Sequence, residues 1–221
     1  MTDLRLVVFD CDGTLVDSLH MIVETMQAAY DTTGHPGPSS DAVRQAIGLS
    51  LEQVIGGLSP DFDEAECNRV ASAYRDHFHA LRRAGDMIEP LYPHVRETIT
   101  KLDSAGIVMG IATGKGIRGL NHVLDQHDMA HFFATLQTPD NAPGKPHPGM
   151  LEQAMDATGA RPEHTIMIGD TSFDMEMAGH AGVQAIGVDW GYHDVDVLRD
   201  AGASQVISRM PDLHAVLKGK S

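Results

Sequence analysis

The chain has 221 residues, with 16 lysines and arginines against 31 aspartates and glutamates, a formal net charge of −15. That acidity argues against nucleic acid or an anionic membrane as partner, because the mean field repels phosphate; a small phosphate ester stays open, since a bound divalent cation reverses the sign locally. With 42% hydrophobic and 21% charged residues the composition is globular rather than disordered, and the length suits one core plus a smaller insert.

Leu4 to Phe9 reads as a buried strand, short, aliphatic and bounded by Asp10. Gly13-Thr14 follows as a turn, and Ser18 is placed to cap a helix carrying Leu19, Ile22, Val23, Met26 and Tyr30, with Gly34 at its stop. Ser39 to Leu81 offers more helix, with Val70, Ala73, Tyr74, Phe78 and Leu81 as one apolar stripe, and no convincing strand. Residues 16–87 therefore read as a helical block inserted behind the first strand.

From Pro93 the pattern alternates. A helix runs to Ser104 with Gly106 past its end, and Ile107 to Ala112 is a second buried strand. Leu120, Val123 and Leu124 mark a helix, Phe132 to Leu136 a third strand, and Pro148 to Gly159 another helix. Thr165 to Ile168 is a fourth strand, followed by a Met175–Ala181 helix and strands at Gln184–Val188 and Gln205–Ile207; Lys218 to Ser221 are expected to fray. Strands alternating with helices imply an α/β fold with a parallel sheet covered on both faces. Such sheets hold their ligands at the carboxyl ends of the strands.

The chemistry-bearing residues fall at those ends. Asp10 and Asp12 follow the first strand, Thr113 the second and Asp170 the fourth, with Asp174 one helical turn on; Lys145 sits in Pro143-Gly144-Lys145-Pro146-His147-Pro148. Four converging carboxylates with one lysine would repel, and a hard divalent cation with oxygen ligands relieves them. Magnesium suits such a set together with a substrate phosphate. Free backbone N–H groups at Gly13, Thr14 and Gly114 would add anion donors. One carboxylate so placed can attack phosphorus, and a second can pass a proton to the leaving group.

Asp10-Cys11-Asp12-Gly13-Thr14-Leu15-Val16-Asp17-Ser18, Thr113, Lys145 in Gly-Lys-Pro-His-Pro, and Gly169-Asp170-Thr171-Ser172-Phe173-Asp174-Met175 resemble, in order, the four motifs of the haloacid dehalogenase-like (HAD) superfamily. The tail from Ala178 through Tyr192 is similar to its phosphoglycolate phosphatase-like branch. The resemblance implies a Rossmann-like parallel-sheet core, residues 1–15 and 88–221, with an inserted α-helical cap, residues 16–87, that sets substrate choice. It implies a Mg2+-dependent phosphatase acting on a small phosphate monoester, 2-phosphoglycolate being one candidate. Asp10 would be nucleophile and metal ligand, and Asp12 the general acid and base, lending its backbone carbonyl to the metal. Asp170 would be a direct ligand and Asp174 a support; Thr113, Gly114 and Lys145 would hold the phosphoryl oxygens. Gly114 departs from the asparagine usual in the second motif, which puts one substrate contact in doubt. His20, Arg44 and Gly48 are cap positions offered as substrate contacts.

Alternatives are a phosphomutase of the β-phosphoglucomutase type and a non-catalytic module that binds a phosphorylated ligand. Gly114-Lys115-Gly116-Ile117-Arg118-Gly119 also matches a dinucleotide fingerprint, with Asp140 as the distal acid, but it lies mid-chain and overlaps Thr113. A carbon–halogen hydrolase has no use for Asp12. Cys11 and Cys67 form no CxxC, the 13 histidines are scattered, and no signal peptide or long apolar stretch appears. A soluble, cytoplasmic monomer or homodimer is expected.

Overall fold

The computed structural model describes residues 5–84 and 88–218. Leu4, residues 85–87 of the expected cap and residues 219–221 lie outside them. Six strands, β1 (Leu6–Phe9), β2 (Val108–Ala112), β3 (Thr135–Gln137), β4 (Thr165–Gly169), β5 (Gln184–Val188) and β6 (Gln205–Ile207), form one sheet. The order is β3-β2-β1-β4-β5-β6 and every neighbouring pair is parallel.

Alternation along β1 sends its side chains to two cores. Val7 and Phe9 pack with Val95 and Ile99 of α5 (Val95–Ser104), Leu120 of α6 (Ile117–Gln126) and Leu213 of α10 (Asp212–Lys218). Leu6 and Val8 pack with Met150 and Leu151 of α7 (Gly149–Thr158), Met175 of α8 (Ser172–His180) and Leu198 of α9 (Val195–Asp200). Each fully buried side chain of this size contributes about 1.5–3 kcal/mol relative to exposure. Because both faces are covered, the strand ends are where polar groups can meet a ligand.

Between β1 and α5 stand α1 (Leu19–Thr32), α2 (Ser40–Ala46), α3 (Leu51–Leu58) and α4 (Glu64–Ala84). They share a third core built from Ile22, Met26, Val43, Val54, Ile55 and Val70. Ser50 and Gln53 form a capping box at the start of α3. The chain enters and leaves this block side by side. Val16 and Leu91 make an antiparallel bridge, Asp17 N donates to Pro90 O at 2.9 Å, and Tyr92 N donates to Leu15 O at 3.0 Å. Among the described residues no helix is long and apolar enough to cross a membrane.

Three sequence expectations shift. The third strand is Thr135–Gln137, because Ala130–Phe132 forms a 3-10 turn whose Phe132 packs on the core beside α5 and α6. Helices α9 and α10 add to the expected elements: at six and seven residues they are too short to show a period in sequence. Ser18 stands at the N-cap of α1, yet its hydroxyl makes no capping bond and is spent on Asp12.

Candidate active site

Phe9 is in register with Ile111 of β2 and with Ile168 of β4. Asp10 therefore lies level with Ala112 and Gly169, and Thr113 and Asp170 follow one residue later, so all three leave the sheet within one residue of each other. Strands β2 and β3 lie to one side of β1, and β4, β5 and β6 to the other. The β1/β4 junction is thus the switch point at which open α/β sheets leave a crevice.

Asp10, Asp170 and Asp174 are fully buried there, and each offers a carboxylate oxygen within 4.8 Å of the others. Lys145 is as deeply buried, its Nζ 2.9 Å from Asp10 Oδ1 and 2.6 Å from Asp174 Oδ1. The Cys11 amide donates to Asp10 Oδ1 at 2.7 Å, while Asp10 Oδ2 is buried with no hydrogen-bond partner among the described residues. The Cys11 side chain packs in the apolar core, where burial and the nearby Asp12 carboxylate raise its thiol pKa. Asp170 accepts from Thr14 Oγ1 at 2.8 Å and from the Tyr192 amide at 2.9 Å. Backbone packs tightly against Asp170: a Cβ on Gly13, at φ +85°, would lie 2.2 Å from Asp170 Oδ2, and one on Gly191 2.2 Å from Asp170 Cβ. Asp174 Oδ2 accepts from Thr171 N at 3.0 Å and Thr171 Oγ1 at 2.8 Å. With both its oxygens engaged, Asp174 steadies Lys145 and the start of α8.

Burial pushes the Asp10 carboxyl up to about 7, with Lys145 pulling it down and Asp174 pushing it further up. Burial also raises Asp170 well above the carboxylate range, and Asp10 and Asp174 add to this. For Lys145, burial opposes the charge, but Asp10 and Asp174 outweigh it and hold the ammonium protonated. The donors are all oxygen, anionic and buried, and one oxygen lacks a partner; the set fits a hard divalent cation.

A sign follows for metal binding. In the metal-free fold burial pushes the Asp10 carboxyl up to about 7 from an ordinary 3.8. Between those values the metal-free fold holds protons that the unfolded chain has released, so its stability falls as pH rises through that window. Mg2+ selects the ionised carboxylates, so the rise in melting temperature on adding Mg2+ should be larger at pH 8 than at pH 5. Equal shifts at both pH values would contradict this account of the cluster.

The Asp12 side chain stands outside the three-carboxylate cluster. Its Oδ1 accepts from Ser18 Oγ at 2.5 Å and forms an ion pair with Lys115 Nζ at 3.0 Å. Lys115 also reaches Glu89 Oε1 at 2.8 Å. Burial opposes the Lys115 charge, and Asp12 and Glu89 outweigh it. The expectation of a single lysine is thereby corrected to two. Lys115 was in view as the third residue of Thr113-Gly114-Lys115; Glu89, in Ile88-Glu89-Pro90, carries no local signal.

A cavity of about 630 Å³ opens between these groups and the helical block. Asp10, Asp12, Thr113, Gly114 and Lys115 line one side, and Ile22, Met26, Gly48, Val54, Tyr74 and Phe78 the other. A second cavity, of about 700 Å³ at Thr32, Arg69 and His77, contains none of the motif residues. Of the cap positions offered from sequence, Gly48 lines the cavity. His20 instead projects into solvent, 89% exposed, beside Glu24, and Arg44 donates to Gly191 O at 3.4 Å.

The dinucleotide fingerprint has a different use. Asp140 Oδ2 accepts from the Ile117 amide at 2.6 Å, filling the helix start that a pyrophosphate would need. A Cβ on Gly114 would lie 2.3 Å from Leu49 O and 2.7 Å from Gly48 O. Glycine replaces asparagine here because the α2–α3 connection packs onto that backbone.

Residues 7–188 match the family of haloacid dehalogenase-like hydrolases. The chain is 34% identical over 222 residues to a protein of Dickeya dadantii named "Probable phosphatase IndB", spanning 96% of this chain and 95% of that one. It is 28% identical over 223 residues to the phosphoglycolate phosphatase of Vibrio parahaemolyticus, spanning 97% and 96%. A crystal structure of a hydrolase from Pseudomonas syringae superposes with a TM-score of 0.86 at 25% identity, over 98% of this chain and 99% of that one. The chain belongs to the haloacid dehalogenase-like hydrolases, in their phosphoglycolate phosphatase-like branch. It is an enzyme with phosphatase chemistry, which retires the reading as a silent binding module.

Proposed function

We propose that this enzyme hydrolyses a small phosphate monoester, 2-phosphoglycolate among the candidates, through an aspartyl-phosphate on Asp10. Residues 1–15 and 88–221 serve as the catalytic core, and residues 16–87 as the cap that selects the ester. One observation carries the reading: Asp10 Oδ1 is fixed by Lys145 and the Cys11 amide, while Oδ2 lies buried without a partner. The phosphoglycolate phosphatase relative supports the candidate substrate, and Arg118 on the cavity wall offers charge for a substrate carboxylate.

The Asp10 carboxylate attacks phosphorus, the P–O bond to the alcohol breaks, and Asp12 delivers a proton to the departing oxygen. Water then attacks the phosphoryl group, Asp12 takes its proton, and the bond to Asp10 breaks to release phosphate. Thr113, the Gly114 amide and Lys145 orient the phosphoryl oxygens, and Lys145 offsets the repulsion between Asp10 and an anionic ester. Mg2+ held by Asp10, Asp170 and the Asp12 carbonyl, with Asp174 in support, would neutralise phosphoryl charge.

The test is chemical trapping. During Mg2+-dependent turnover of a phosphate-ester panel, borohydride reduction should convert Asp10 to homoserine, read by peptide mass spectrometry. Phosphate release with an unmodified Asp10 would overturn the proposal.

A further inference from the structure

Lys115 and Glu89 form a second buried ion pair that the roles above leave unused. The exposed fractions are 7% for Lys115, 9% for Asp12 and 0% for Glu89. Separate parts of the chain meet at Lys115 Nζ: the loop after β1 brings Asp12, and the return from the helical block brings Glu89. The ring of Phe78 on α4 lies 5.4 Å from Nζ. Glu89 is itself anchored, its main-chain oxygen 2.7 Å from His127 Nε2.

Stability alone is a poor reason for this arrangement, because a buried ion pair adds little over apolar groups of similar shape. Orientation is a better one. Ser18 donates to Oδ1 of Asp12 and the Lys115 ammonium pairs with the same oxygen at 3.0 Å, so together they hold that oxygen, and with it the carboxyl plane, in one orientation. Its Oδ2 has no donor among the described residues, and Asp12 lines the cavity. We infer that Lys115, held by Glu89, is a positioning residue that orients the Asp12 carboxyl toward the leaving-group oxygen. The proton passes from Asp12 to that oxygen; Lys115 neither gains nor loses one.

The inference rests on Asp12 as the acid of the proposed reaction, and leaving-group dependence tests the two separately. p-Nitrophenolate departs without a proton; the alkoxide of glycerol 2-phosphate needs one. The variants are Glu89→Gln and the charge-matched double variant Lys115→Met/Glu89→Gln, with folding checked by circular dichroism. In both, kcat for glycerol 2-phosphate should fall at least about tenfold further than kcat for p-nitrophenyl phosphate, with KM changed by less than about threefold. Lys115→Arg should restore most of the alkyl-ester rate. Asp12→Asn, measured in parallel, should show the same bias more strongly. If Asp12→Asn shows the bias while folded Glu89 and Lys115 variants lose both esters equally, or neither, the inference is overturned and the role of Asp12 stands. If Asp12→Asn shows no bias, the acid assignment falls and the inference falls with it. Should the double variant not fold, Glu89→Gln alone decides.

Discussion

Asp10→Asn should lower kcat by at least about 10⁴-fold, the scale on which loss of a covalent nucleophile is felt. The same variant should melt at a higher temperature than the parent at pH 8 without metal. Burial, first, and Asp174 hold the Asp10 carboxyl up to about 7, so at pH 8 the folded chain carries an anion that the site disfavours. Asparagine removes that charge and keeps the shape, and Lys145 retains Asp174 at 2.6 Å. The further gain from Mg2+ should shrink, because one of three carboxylates is gone. Thermal unfolding with and without Mg2+, beside steady-state kinetics, checks both halves. A folded variant with more than a few per cent of parental turnover would remove Asp10 as nucleophile.

Lys145→Met should produce the opposite stability change. Nζ is enclosed and bridges Asp10 at 2.9 Å and Asp174 at 2.6 Å. Without it, Asp10 and Asp174, which already crowd one another, lose the cation that bridges them. Breaking a buried pair from one side costs about 3–5 kcal/mol, and losing a charge aimed at the phosphoryl group costs about 10²–10³ in rate. Urea unfolding at pH 8 should show the loss, and added Mg2+ should recover part of it. Unchanged stability together with unchanged kcat/KM would place Lys145 outside the site.

Asp10 and Asp170 were legible because each follows a short aliphatic run, and parallel strands in register bring such ends to one level. Thr113 was legible for the same reason. Lys145 was legible only through its neighbours in a motif, since nothing local marks a lysine for complete burial. The Lys115–Glu89 contact was not legible. Its partners are 26 residues apart, and Glu89 belongs to no periodic element. Ser18 shows the limit of local rules: its position is that of a helix cap, but a carboxylate six residues earlier competes for the hydroxyl and wins. Phe132 misled for a related reason, because its apolar character serves docking onto the core rather than strand formation.

The chain passes between the sheet and the helical block at Val16 and Leu91, while contacts such as Gln53 Nε2 to Lys145 O and Arg44 to Gly191 O, both at 3.4 Å, hold the block closed on the core. Once those few contacts are released, a body whose chain crosses at one place can pivot there, and displacement grows with distance from the crossing. Asp12 lies close in sequence to that crossing, whereas the Gly48–Leu49 turn, seated on Gly114, lies further along the chain. Opening would therefore work as a lever: a small twist at the crossing uncovers the phosphoryl pocket while leaving the aspartates of the core nearly at rest.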